Sequence, residues 1–405
     1  MSRPPPSCEP MPGRVLLKCL STPGELTASD AIDWEQILQL AREHRVTPLL
    51  FARLNGAAPG AVPMPVLQEL REEFQANAIA NLRLAGDLLG ILSLFAVEGI
   101  AAVPFKGLML ASRYYGDIAL REAGDLDLLI RRHDIVKARR LLLDMGHRPI
   151  FPTASEAEAE FLSRLSGPRE REYLLSHCEH HLMDAAGRVN VDLHWAIALR
   201  EFSLPLDPDG LWSRLETATL AGKPVPTLSA EDMLFVLCIN GGKDCWRRLD
   251  RVCDVAELLR SRPDLDWPRV LAQARRVGGL RILFLGLRLV NQLLGATLPA
   301  LVLEELKRDA AVERLTGQVV RTFLDGSPPD ESSRAGMSLF HLRLRERKRD
   351  RLAYCLAHLR PGVGDWVSLP LPPALSFLYY LTRPFRLVVR YGVDRLRRAD
   401  PTARI

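Results

Sequence analysis

Apolar residues recur every three or four positions through most of this chain, and its chemistry concentrates where that rhythm fails. From Asp30, "SDAIDWEQILQLAREHRV" sets Ile32, Ile37, Leu38 and Leu40 at helical spacing behind Ser29 or Asp30 as an N-cap. The stretch "MPVLQELREEFQANAIANLRLAGDLLGILSLFAVEG" continues for about nine turns, at about 3.6 residues per turn, before Gly99. The texture changes at "GIAAVPFKG", an apolar run of strand length ending in Gly107. It changes again at "DLDLLIRR", whose alternation precedes the helical pattern "HDIVKARRLLLDMG". "CEHHLMD" and "RVNVDLHWAI", joined through Ala-Ala-Gly, predict a β-hairpin. After Asp209 Leu-rich helical periodicity returns, breaks at "GSPPDESS", and resumes as a strongly basic helix over "HLRLRERKRDRLAYCLAHLR".

These patterns predict an α+β protein. A flexible Pro- and Ser-rich lead-in covers 1–28, a helical layer 29–98, a small α/β core 99–208, a helical domain 209–326 and a basic helical region 327–405. A chain of 405 residues exceeds what one hydrophobic core ordinarily serves. Its 47% hydrophobic and 25% charged composition excludes the disordered class, and a net charge of +5 permits an anionic partner without requiring one. Seven scattered cysteines without a CxxC pair argue against a zinc or redox couple and for reduced thiols. The N-terminus lacks a signal-peptide pattern and no stretch reaches about 18 uninterrupted apolar residues, so a cytoplasmic location is expected. The closing "LPPALSFLYYLTRPFRLVVRYGVDRLRRADPTARI" mixes aromatics with arginines. Packing onto the helical domain fits it, and so does peripheral contact with an anionic membrane; Pro384 divides any helix there.

On a strand successive side chains alternate faces, so Asp125 and Asp127 point one way and Leu126 and Leu128 the other. Asn190, Asp192 and His194 likewise share a face of the hairpin strand, which makes Asp192 a candidate third carboxylate. Its alternative partners are His180 and Arg188. Three convergent carboxylates suit Mg²⁺, with Mn²⁺ as a substitute, and the phosphates such an ion binds. Lys106 places an ammonium beside Gly107, where the backbone comes close to phosphate, and Arg121 either holds a phosphate oxygen or locks Asp125. His194 orients Asp192 or serves as a base. His177, His180 and His181 make a poor zinc set, because His180 and His181 face opposite ways on a strand. Lys243, Arg247, Arg248 and Arg251 either line a nucleotide or acceptor cleft or form a solvated helix face, with Trp246 turned inward.

The ordered set in "FKGLMLASRYYGDIALREAGDLDLLI" and "VNVDLHWAI" resembles the nucleotidyltransferase superfamily with the polymerase-β-type fold. More narrowly it looks like the bacterial family of uncharacterised nucleotidyltransferases often found near surface-polysaccharide genes, and it is similar to abortive-infection-type toxins. "LCINGGKDCWRRLDRVCDVAELL" extends the likeness over roughly residues 30–385. The resemblance implies Mg²⁺-dependent transfer of a nucleoside monophosphate from a nucleoside triphosphate to a sugar phosphate, a tRNA or a protein hydroxyl. It casts Gly107 as the turn glycine, Asp125 and Asp127 as paired metal ligands and Asp192 as the third carboxylate. Leu108 departs from the Ser that many members carry there. That departure implies compensation by Lys106, a different donor, or a protein that binds nucleotide as a scaffold without turnover.

Overall fold

The computed structural model describes residues 11–21, 32–55, 61–151, 156–163, 173–174, 177–197, 202, 204, 207–325, 334–372, 375 and 377–383. Helix α1 (Pro12–Ser21) occupies part of the expected flexible lead-in. Leu16, Cys19 and Leu20 are buried in the main core, and that apolar stripe is what docks so short a helix. Helix α2 (Trp34–Glu43) is capped by Asp33, which accepts from the Gln36 amide at 3.1 Å; Ser29 and Asp30 lie outside the described residues. Helices α3 (Thr47–Leu54) and α4 (Met64–Val97) complete the first layer. On length and composition α4 could cross a membrane. One of its faces is nevertheless committed to the protein, through Leu84, Leu88, Ile91 and Phe95.

The α/β core is a five-stranded sheet of β1 (Ala102–Pro104), β2 (Asp125–Ile130), β3 (Arg148–Ile150), β4 (Glu179–Met183) and β5 (Asn190–His194), in the order β1-β2-β5-β4-β3. Only β2 and β5 run parallel. Between β1 and β2 lie α5 (Leu108–Leu110), a π-helical turn (Ala111–Tyr115) and a 3₁₀ turn (Ile118–Leu120). Helix α6 (Ile135–Asp144) follows β2, and α7 (Glu156–Ser163) follows β3. One face of the sheet presents Leu126, Leu128, Ile130, Leu182, Val191 and Leu193, all buried against α4 and α6. Full burial of each such side chain contributes about 1.5–3 kcal/mol.

Beyond α8 (Pro208–Ser213), the helical periodicity expected after Asp209 gives way to a hairpin of β6 (Glu216–Leu220) and β7 (Lys223–Thr227). Its two-residue turn holds Ala221 and Gly222 at φ 47° and 78°, the left-handed pair that suits the twist of a tight hairpin. Helices α9 (Ala230–Lys243), α10 (Leu249–Ser261), α11 (Trp267–Val277), α12 (Leu280–Leu294), α13 (Ala300–Leu306) and α14 (Ala310–Asp325) follow. Residues of α1–α3 and of α9–α12 belong to one continuous apolar core, so the opening and closing helical regions share an interior.

The expected basic helix is divided into α15 (Arg334–Leu344) and α16 (Lys348–His358). The break falls at Arg345, whose buried guanidinium lies 4.4 Å from both the Phe202 and Tyr354 rings and donates to the Phe202 carbonyl. A short α17 (Val363–Ser368) follows. The "GSPPDESS" break and residues 384–405, with Pro384 and most of the basic tail, lie outside the described residues.

Candidate active site

The second face of the sheet carries the polar residues. Register pairs Asp127 with Asp192 across the parallel β2–β5 seam, and His181 with Asp192 and Glu179 with His194 across the hairpin. Because cross-strand partners share a face, Asp125, Asp127, Asp192, His194, Glu179 and His181 form one patch. The expected hairpin and the expected alternation of Asp125 and Asp127 are both present.

A chain of contacts runs through this patch. Lys106 Nζ and His194 Nε2 both donate to Asp127 Oδ1, at 2.7 and 2.8 Å. His194 Nδ1 lies 3.1 Å from Glu179 Oε2, and His181 Nε2 lies 3.9 Å from Glu179 Oε1. His181 Nδ1 in turn donates to Asp192 Oδ1 at 2.7 Å. Burial opposes charge at Asp127, but the Lys106 ammonium and the His194 hydrogen bond outweigh it and hold the carboxyl far below the usual range. Burial likewise opposes the charge on His181, and Asp192 overcomes it, raising the imidazole above its ordinary value. At Asp125 burial and the charges of Asp127 and Asp192 act together and push the carboxyl up.

Among the described residues, Asp127, Asp192 and His194 bring possible metal-ligating atoms within 4.8 Å of one another. Asp125 shares their face but stands outside that group. His194, expected beside the site, lies within it. His180 faces away and stacks on Tyr173, so the three-histidine zinc set does not assemble. Asp192 has His181 as its partner rather than His180 or Arg188.

Gly107 has φ 51° and ψ −117°, and a Cβ there would stand 3.2 Å from the Asp125 carbonyl; the turn against β2 requires glycine. Leu108 is buried in the core under the sheet, so its side chain offers nothing to a phosphate. Arg121 departs from both expectations. Its Nε and a terminal nitrogen grip Asp254 of α10 at 2.6 and 2.9 Å, its other terminal nitrogen donates to the Glu122 carbonyl, and it is 7% exposed. The Tyr115 hydroxyl joins it on Asp254 at 2.8 Å. From α4, Asn77 Nδ2 donates to the Ala119 carbonyl, and Asn81 Nδ2 to those of Ile118 and Arg121, at 2.6–2.8 Å. Arg121 and the two asparagines thus pin the loop that delivers β2.

A family model described as an uncharacterised nucleotidyltransferase matches residues 30–295, well over half of the chain. The chain belongs to that family. A search of curated proteins found no match. In this nucleotidyltransferase the helical half also faces the site: the charge of Lys243 acts on Glu179 and that of Arg251 on Lys106. Arg248 and Arg251 are paired with Asp250 and Asp244 at 3.0 and 3.2 Å, and Trp246 is turned fully inward.

The polar patch contains Glu179, which the sequence reading passes over, and His181, which it weighs only as part of a poor zinc set. Their signal was present in "CEHHLMD", since the hairpin register alone sets them opposite His194 and Asp192. Asp254, Asn77 and Asn81 carry no comparable local signal.

Proposed function

We propose that this nucleotidyltransferase moves a nucleoside monophosphate from a nucleoside triphosphate to an acceptor hydroxyl in a divalent-metal-dependent reaction. The observation that carries the reading is the convergence of Asp127 and Asp192 from adjacent parallel strands, with Asp125 and Glu179 on the same face. Four carboxylates against one ammonium and two imidazoles leave negative charge that a cation offsets, and the carboxylate oxygens favour Mg²⁺ over zinc.

Asp127 and Asp192 would hold the ion, with Asp125 available at the rim. When bound, it supplies charge stabilisation at the transferring phosphoryl group and the leaving oxygen. The acceptor oxygen bonds to the α-phosphorus as the bond from that phosphorus to the bridging oxygen breaks, and pyrophosphate departs. Asp192 receives the hydroxyl proton, and His181 fixes the orientation of its carboxylate. Lys106, beside the Gly107 turn, keeps Asp127 ionised. We place the reaction in the cytoplasm, a reading that rests on the scattered spacing of the seven cysteines.

The test is titration of each of the four nucleoside triphosphates, with and without Mg²⁺, into the wild type and an Asp125→Asn/Asp127→Asn variant. Metal-dependent binding lost in the variant is the expected result. Binding indifferent to both the ion and the substitutions refutes the reading. Sugar phosphates are the first acceptor class to screen with the donor so found.

A further inference from the structure

The turn between α2 and α3 holds a contradiction. Arg45 N donates to the Arg42 carbonyl and Val46 N to that of Ala41, which closes α2 with the left-handed residue where glycine is favoured. The residue there is Arg45, at φ 54°. An arginine in that conformation costs about 1–2 kcal/mol that glycine would not. Arg45 is exposed, no described carboxylate hydrogen-bonds or ion-pairs with it, and within the cavity its charge favours the ionised form of Glu122.

The same turn begins α3, and no side chain caps that helix at Val46. The Thr47 hydroxyl is buried, with the residue 2% exposed, and has no hydrogen-bond partner. Arg45, Thr47 and Pro48 line a cavity of about 400 Å³ together with Arg42, Glu73, Glu122, Ala123 and Gly124. Gly124 immediately precedes Asp125, and a Cβ built on it would lie 3.5 Å from the Arg45 guanidinium. A Cβ on Gly107 would lie 3.7 Å from that of Ala123, so the cavity wall adjoins the glycine turn. An uncapped helix N-terminus, a buried hydroxyl without a partner and an unpaired guanidinium are together the equipment of an anion site.

We propose that this cavity is the subsite for the terminal phosphates of the nucleoside triphosphate, with Arg45 as their counter-charge and Thr47 as a donor. The inference rests on the nucleotidyl-transfer reading above. It explains how the protein manages with Leu108 at the glycine turn and with Arg121 committed to Asp254. Arg42 is already bound to Glu69 and Glu73, so it does not compete for the ligand. Of the two carboxylates in the cavity, Glu73 is held by Arg42, and Glu122 opposes the ligand's charge and makes the proposal sharply testable.

The experiment measures binding of the four Mg²⁺-nucleoside triphosphates, and of Mg²⁺-pyrophosphate, to the wild type, Arg45→Gly, Thr47→Val and Glu122→Gln, with a thermal melt of each. Arg45→Gly relieves the strained turn, so its melting temperature holds or rises while triphosphate and pyrophosphate binding weaken on the order of 10- to 100-fold. Thr47→Val weakens both less, and Glu122→Gln tightens both. Wild-type binding that Arg45→Gly leaves unchanged overturns the subsite alone. Weaker binding in Glu122→Gln also overturns it, since the cavity would then be recognising donor groups through that carboxylate. A wild type that binds no triphosphate refutes the nucleotidyl-transfer reading itself, and the subsite falls with it.

Discussion

The two faces of the five-stranded sheet are built from alternate residues of the same strands and obey opposite rules. Adjacent histidines on β4 show the contrast. His180, on the apolar face among Tyr173 and Trp195, is pushed by burial down to about 3, with the charge of Arg139 assisting. His181, one residue on, is raised by Asp192 despite its own burial. What differs is the partner each finds after burial has acted. On the polar face every buried charge meets another charge, whereas on the apolar face a titratable group has only the option of staying neutral.

The largest expected effect attacks the polar face. Asp127→Asn removes a carboxylate at the centre of the network, and turnover should fall about 10²–10³-fold or more while the circular dichroism spectrum is retained. Near-normal turnover would show that the patch is structural. Next comes Arg121→Met, which leaves Asp254 buried without its counter-charge and should cost about 3–5 kcal/mol in denaturant unfolding. Nucleotide affinity of the folded fraction should hold; lost affinity at unchanged stability would return Arg121 to phosphate binding.

On the apolar face, Leu193→Ala should cost about 2–5 kcal/mol of stability. Turnover per folded molecule should change little, and a fall as large as that of Asp127→Asn would mean that the two faces are not separable. The smallest effect per pH unit is the pH dependence at His180. Its folded value lies below its unfolded one, so the unfolded chain binds the extra proton, and stability is lost as pH falls from about 6.5 towards 3. The slope is at most about 1.4 kcal/mol per pH unit. His180→Phe should flatten that slope in melts across the window, and an unchanged slope would assign it elsewhere.

Much of the fold was legible because it is written in short periods. Alternation set Asp125 and Asp127 on one side of a strand, Ala-Ala-Gly marked the hairpin, and unbroken helical spacing marked α4. Other elements were missed for equally physical reasons. The hairpin of β6 and β7 is short and surrounded by Leu-rich helices, so its Ala-Gly turn was outweighed by its neighbours. Helix α1 follows a Pro- and Ser-rich start whose composition masked five apolar residues able to dock. Position 345 gave no local warning of a helix break, since the Phe202 and Tyr354 rings that flank its guanidinium come from other elements.

The sequence by itself determined which residue types are present, their alternation on each strand and the order of the motif along the chain. Those properties depend on bond geometry and near neighbours, so a single sequence carries them. Tertiary structure alone decided who pairs with whom. On paper Arg121 had a phosphate oxygen or Asp125 as its partner, and it became the buried partner of Asp254, because α10 folds back across the loop before β2. Asp192 acquired His181, and Glu179 came between two imidazoles, through a hairpin register that alternation permits but does not choose. Charges act through space over a few ångströms, and only the fold sets those distances.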